Sequence, residues 1–157
     1  MDWDTIKNII LLLGSIVGLL ALIKGVIEYS RNNAMKRAEY FATLHKQLNE
    51  VVVLSQICDY LDTDSPDLAN LGYAKKYQFL SFFETVALMV NTGLLKKELA
   101  QYMFSYYAIR CYESNNFWTE IDKDSPYWTL FRSFAREMKQ IENNAMANPK
   151  RLESLRF

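Results

Sequence analysis

The spacing of apolar and polar positions changes character along this chain. From Ile9 to Ile23, fifteen residues carry no charge, and apolar side chains fall on every side of a helical wheel. That run covers only about 22 Å of helix. Including Gly25, Val26 and Ile27 beyond Lys24 gives nineteen positions with one ionisable group, close to what a hydrocarbon layer of about 30 Å requires. Lys24 stands near the end, where its stem can follow lipid while the ammonium reaches the headgroups. Trp3 and Tyr29 flank the stretch as interfacial anchors do. A secretory signal fits less well, because Asp2 and Asp4 oppose Lys7 in the leader and no small-residue cleavage site follows. The pattern predicts a membrane-spanning helix.

Beyond Ile27 the pattern becomes one-sided. Ala34, Ala38, Phe41, Leu44, Leu48, Val51 and Cys58 recur at helical spacing, with charged and amide residues opposite. No Pro or Gly intervenes between Val26 and Ser65, so one helix is expected to run from about residue 6 to 61, through the three valines at 51–53. DTDSPDLANLG, residues 62–72, reads as a loop whose Asp62, Asp64 and Asp67 form a solvated turn with Asp59. A second helix is expected over about 73–91, with Phe79, Phe83, Val86 and Val90 on one face. A third spans about 95–113, and its run Tyr102, Phe104, Tyr106, Tyr107 and Tyr112 cannot all face inward. Ser125 and Pro126 open a fourth, which reaches about 144 and turns Tyr127, Phe131, Phe134, Met138 and Ile141 inward.

The predicted fold class is therefore all-α: a single transmembrane helix with its flanks in residues 1–30, continuing into a cytoplasmic helical bundle in 31–144, then a tail in 145–157. Lys24, Arg31, Lys36 and Arg37 follow the span closely, while Lys7 and the terminal amine precede it. That bias predicts an outer amino terminus and a cytoplasmic carboxy-terminal domain.

Composition adds exclusions. Eighteen basic residues balance eighteen acidic ones, and removing the first 27 residues leaves the balance even, so charge gives no case for binding nucleic acid. Cys58 and Cys111 share no metal-like spacing; one disulfide is formally open to them, but the inward topology favours two reduced thiols. His45 is the one histidine. No phosphate cradle, nucleophile elbow or metal motif occurs, so no enzyme, metal or cofactor is expected.

Small residues mark the span itself. Gly14, Gly18, Ala21 and Gly25 recur at intervals of four, three and four, forming one stripe suited to close helix packing. Lys7 projects from the same side, while Lys24 and Glu28 sit one turn apart near the inner end. Several copies around a common axis would place these groups at its two mouths. In the domain, Glu84 and Arg110 share faces with apolar neighbours and are expected to form a buried link between the second and third helices, with ligand or phosphate recognition by Arg110 as the alternative. A scaffold role would instead use exposed aromatics around Tyr107, Phe117 and Trp118.

Residues 77–113, YQFLSFFETVALMVNTGLLKKELAQYMFSYYAIRCYE, resemble a family of small bacterial proteins of uncharacterised function that join an amino-terminal span to a cytoplasmic helical domain. The likeness lies in F-F-E-x-x-A-L-x-V-x-x-G-L, Phe82 to Leu94, followed by E-L-A and an aromatic helix ending in Arg. Lys96 and Lys97 replace an acidic helix start common in that family. Some proteins of this layout accompany anti-phage defence systems. The resemblance thus implies a membrane-anchored effector that answers an infection signal by damaging or depolarising the inner membrane. Together with the small-residue stripe it leads to the expectation of a homo-oligomer, a tetramer favoured, forming an ion-conducting pore. Its partners would be lipids, sister subunits, and a regulatory protein or small signalling ligand. A membrane-tethered adaptor recruiting a partner protein is the alternative.

Overall fold

The computed structural model describes residues 2–147, and no side chains at 4–11, 34 or 145–147. Five α-helices and no strand occur among the described residues. Helix α1 runs Trp3–Glu50, α2 Val52–Asp62, α3 Tyr73–Asn91, α4 Lys97–Glu113 and α5 Thr129–Ala147. The chain divides into two compact units, Met1–Glu39 and Tyr40–Phe157. The expected tail beyond Ala147 lies outside the described residues.

The long helix does not continue to residue 61. Val51 leaves the helical region, with φ −75° and ψ 109°, and α2 begins afresh. The reason is the buried face. Leu44 and Leu48 are buried before the break, and Leu54, Ile57, Cys58 and Leu61 after it. On one straight helix, Leu54, Ile57 and Leu61 would lie about 120–180° around the axis from Leu48. The break resets the phase so that both stripes enter one core, and a β-branched residue with strand preference occupies the extended position.

Further along, local signals do what they predict. Gly93 ends α3 with φ +73°, a left-handed value that costs glycine little. Lys96 is the N-cap of α4 without a side-chain bond, and Glu98 supplies the first-turn carboxylate. Pro66 and Pro126 each open a short 3-10 turn. The second of these runs into α5 and rotates the expected stripe: Trp128 is buried and Tyr127 is 85% exposed, contrary to the inward position expected for Tyr127.

The core of the second unit is aromatic. Phe79, Phe83, Phe104, Phe117 and Phe131 are fully buried, and rings meet edge-to-face or tilted, as at Phe79–Phe83 (5.0 Å between centroids) and Phe82–Phe104 (5.9 Å). Helix α5 is tied to both ends of α4: Glu137 accepts from Lys97 at the first residue of α4, and Lys139 reaches Glu113 at the last.

Candidate functional site

Two features invite function, one in each unit. The first is the apolar part of α1. It contains an 18-residue stretch long and apolar enough to cross a membrane, none of it buried. From Leu12 to Ile27 its ten large apolar side chains are each 46–66% exposed, and they point to all sides. At about 1.5–3 kcal/mol per side chain for full burial, and with roughly six tenths of each still exposed, they represent about 9–18 kcal/mol of unrealised burial. Gly14, Gly18 and Gly25 have nothing within 4 Å of the position a Cβ would take, so no neighbour in this chain requires a glycine there. Ala21, Lys24 and Glu28 are exposed on the same helix. The side chain of Lys7 lies outside the described residues.

The second feature is a cleft of about 380 Å³, walled by Leu61, Ile109 and Tyr106 and edged by Asp64, Arg110, Glu113, Ser114 and Glu142. Arg110 donates through Nη1 to the Asp62 carbonyl at 3.2 Å, and its guanidinium lies 5.0 Å from the centre of the Tyr106 ring. Ser114 Oγ donates to Asp64 Oδ1 at 2.5 Å, and Asn116 donates to the Asp64 carbonyl at 2.8 Å. Glu113 is engaged by Lys139.

The expected Glu84–Arg110 link is not the arrangement found. Each residue serves a helix end instead. Arg110 meets the last residue of α2, whose terminal carbonyls lack partners inside the helix and carry partial negative charge. Glu84 is half-buried and faces the first turn of α5. Burial pushes its carboxyl above the usual range, and the backbone N–H of Phe131 pulls it partly back. A carboxylate at a helix start and a guanidinium at a helix end are each favoured by the dipole, so the two have no need of one another.

Both cysteines are free and buried. Burial, helped by Asp59 and Asp62, pushes the Cys58 thiol up to about 12; burial likewise holds the Cys111 thiol well above its ordinary value. Neither offers a thiolate near neutral pH. No group of three His, Cys, Asp or Glu side chains is placed to hold a metal among the described residues. His45 stacks on Phe41 and accepts from Asn49. The aromatics expected at a docking surface are largely internal: Phe117 and Trp118 are buried and Tyr107 half-buried. Tyr73 and Tyr77 are exposed instead, beside Trp128.

Sequence reasoning missed Lys76. It is 1% exposed, its Nζ donates to the Thr119 carbonyl at 2.8 Å, and it lies 6.0 Å from the Phe117 ring centre. The signal was present, because Lys76 shares the i, i+3, i+4, i+7 stripe of Phe79, Leu80 and Phe83. No protein-family model, curated protein or solved structure matches the chain.

Proposed function

We propose that this chain is a homo-oligomeric effector of the bacterial inner membrane. In this reading the apolar part of α1 crosses the bilayer, the amino terminus faces outward and the helical domain is cytoplasmic. The observation that carries it is the all-round exposure of ten apolar side chains between Leu12 and Ile27, which only lipid or other protein can cover. The glycines support assembly. A glycine in a helix interior costs about 1 kcal/mol relative to alanine, yet nothing in the chain approaches Gly14, Gly18 or Gly25. Close contact with a second span along these residues and Ala21 gives that cost a purpose.

Copies arranged in this way would surround a path for ions, with Lys7, Lys24 and Glu28 near its mouths, and current through it would depolarise the membrane. A tetramer is favoured, and the defence setting follows from the resemblance of residues 77–113 alone. A signal bound in the cleft beside Arg110 would bias opening only by binding the open form more tightly.

Conductance tests this. Purified protein in planar bilayers should pass ions, and Gly18→Leu should abolish current and assembly together while leaving the circular dichroism of the domain intact. A stable monomer in detergent with no conductance removes the pore. A second reading, a membrane-tethered adaptor, is favoured by the exposed aromatic group Tyr73, Tyr77 and Tyr127. Under that reading the protein passes no current, and Tyr77→Ala with Tyr127→Ala abolishes capture of a partner.

A further inference from the structure

The segment that follows α4 is held at two points, and each lies beside a strained residue. At its start, Ser114 and Asn116 bind Asp64, and Ser114 Oγ also accepts from the Phe117 N–H at 2.9 Å. Toward its end, Thr119 receives the buried Lys76 ammonium. Between these points Trp118 Nε1 donates to the Cys111 carbonyl at 2.8 Å, and Phe117 is sealed in the core. Among the described residues, the non-glycine positions with positive φ are Asp64 (47°) and Glu120 (64°). One is the anchor of the first attachment and the other adjoins the second.

Backbones of this kind persist only where the surroundings over-determine them. The Lys76 contact carries a cost of its own. An ammonium taken from water loses its hydration, and here it meets the Thr119 carbonyl and the Phe117 ring, with the Glu120 charge favouring its protonated form from nearby. An apolar residue on the Phe79–Phe83 stripe would pack without that cost, so packing alone does not account for a lysine.

We propose that residues 114–121 form a strained latch, closed by Asp64 at the cleft and by Lys76 in the core, such that releasing either end loosens the other. The latch lies wholly within the second unit and does not depend on the membrane reading. Its consequence is directional. A group that enters the cleft and competes with Ser114 for the Asp64 carboxylate is felt at the start of α3, where Lys76 sits. Asp64 and Thr119 thereby become two outputs of one conformational equilibrium.

Hydrogen exchange on the full-length protein in detergent reads both ends. Lys76→Met keeps the stripe apolar and removes the donor. It is expected to speed exchange about tenfold at the Thr119 and Ile121 amides, and also at the Asp64 and Ser65 amides at the other end. Ser114→Ala should do the reverse, loosening Thr119 and Ile121. The double variant should lose less Tm than the sum of the two single losses. Loosening confined to the mutated end, or additive losses, overturns the proposal. If Lys76→Met does not fold, Ser114→Ala and Glu120→Gly decide the matter. Glu120→Gly relieves strain and leaves both hydrogen-bonded attachments in place, with Glu120→Gln as the control for the lost carboxylate. Relative to that control it should slow exchange at Ser65 about threefold, and an unchanged rate there overturns the latch.

Discussion

Leu20 in α1 and Phe83 in α3 are both large apolar residues in good helices, and they are used in opposite ways. Leu20 is 60% exposed, whereas Phe83 has no accessible surface. From Leu12 to Ile27 the first unit presents apolar side chains on every side, and none of its described side chains is buried. The second sorts its side chains sharply, with a continuous aromatic interior beneath a balanced charged surface. A helix that hides nothing within its own chain must find burial elsewhere, while a helix that hides one face has found it already.

The largest effect that sharpens this contrast is expected at the aromatic core. Phe83→Ala should destabilise the domain by about 3–5 kcal/mol, lowering Tm in a calorimetric or circular-dichroism melt by roughly 10–20 °C. Leu20→Ala should leave the same transition unmoved. A matching loss at Leu20 would break the contrast.

Glu120→Gly comes next. Removing a side chain from a left-handed backbone should raise stability by about 1 kcal/mol, seen as a higher denaturant midpoint with an unchanged slope.

Glu84 gives a smaller effect with a defined pH dependence. Its folded-state pKa is raised above the ordinary 4.5, so the folded protein binds this proton more tightly than the unfolded chain. Its contribution is fullest below 4.5 and is lost as pH climbs through the raised value. Glu84→Gln should remove that decline and gain less than about 1 kcal/mol at neutral pH. A parallel pH profile in wild type and variant would contradict the assignment. The smallest change belongs to the exposed Lys97–Glu137 pair: Glu137→Gln should cost about 0.2–1 kcal/mol, and added salt should erase the difference.

Legibility in the sequence followed the range of each interaction. The extents of α3 and α4 were readable to within two residues because capping residues and apolar spacing are local. The break at Val51 was not. Its cause is a mismatch between Leu44 and Leu48 on one side and Leu54, Ile57 and Leu61 on the other, which matters only once both stripes must meet the same core. Tyr127 was misplaced because the 3-10 turn at Pro126–Trp128 advances the phase of the helix it starts.

The candidate site divides along the same line. The glycine stripe and the charges beside it could be found by counting, since positions on one helix fix their own angular relation. Glu84 is half-buried, whereas Arg110, expected inside, is exposed, and the partner of neither was legible.

By itself the sequence determined that this protein is helical, that its early helix is apolar on all sides, and that the glycines of that helix share a stripe. These are consequences of a fixed rotation per residue. Only the tertiary structure decided which helix end meets Arg110, which meets Glu84, and that a lysine closes the core at Thr119. Those partners lie 43 to 48 residues apart in all three cases, and hydrogen bonds at that separation exist only after the chain has packed.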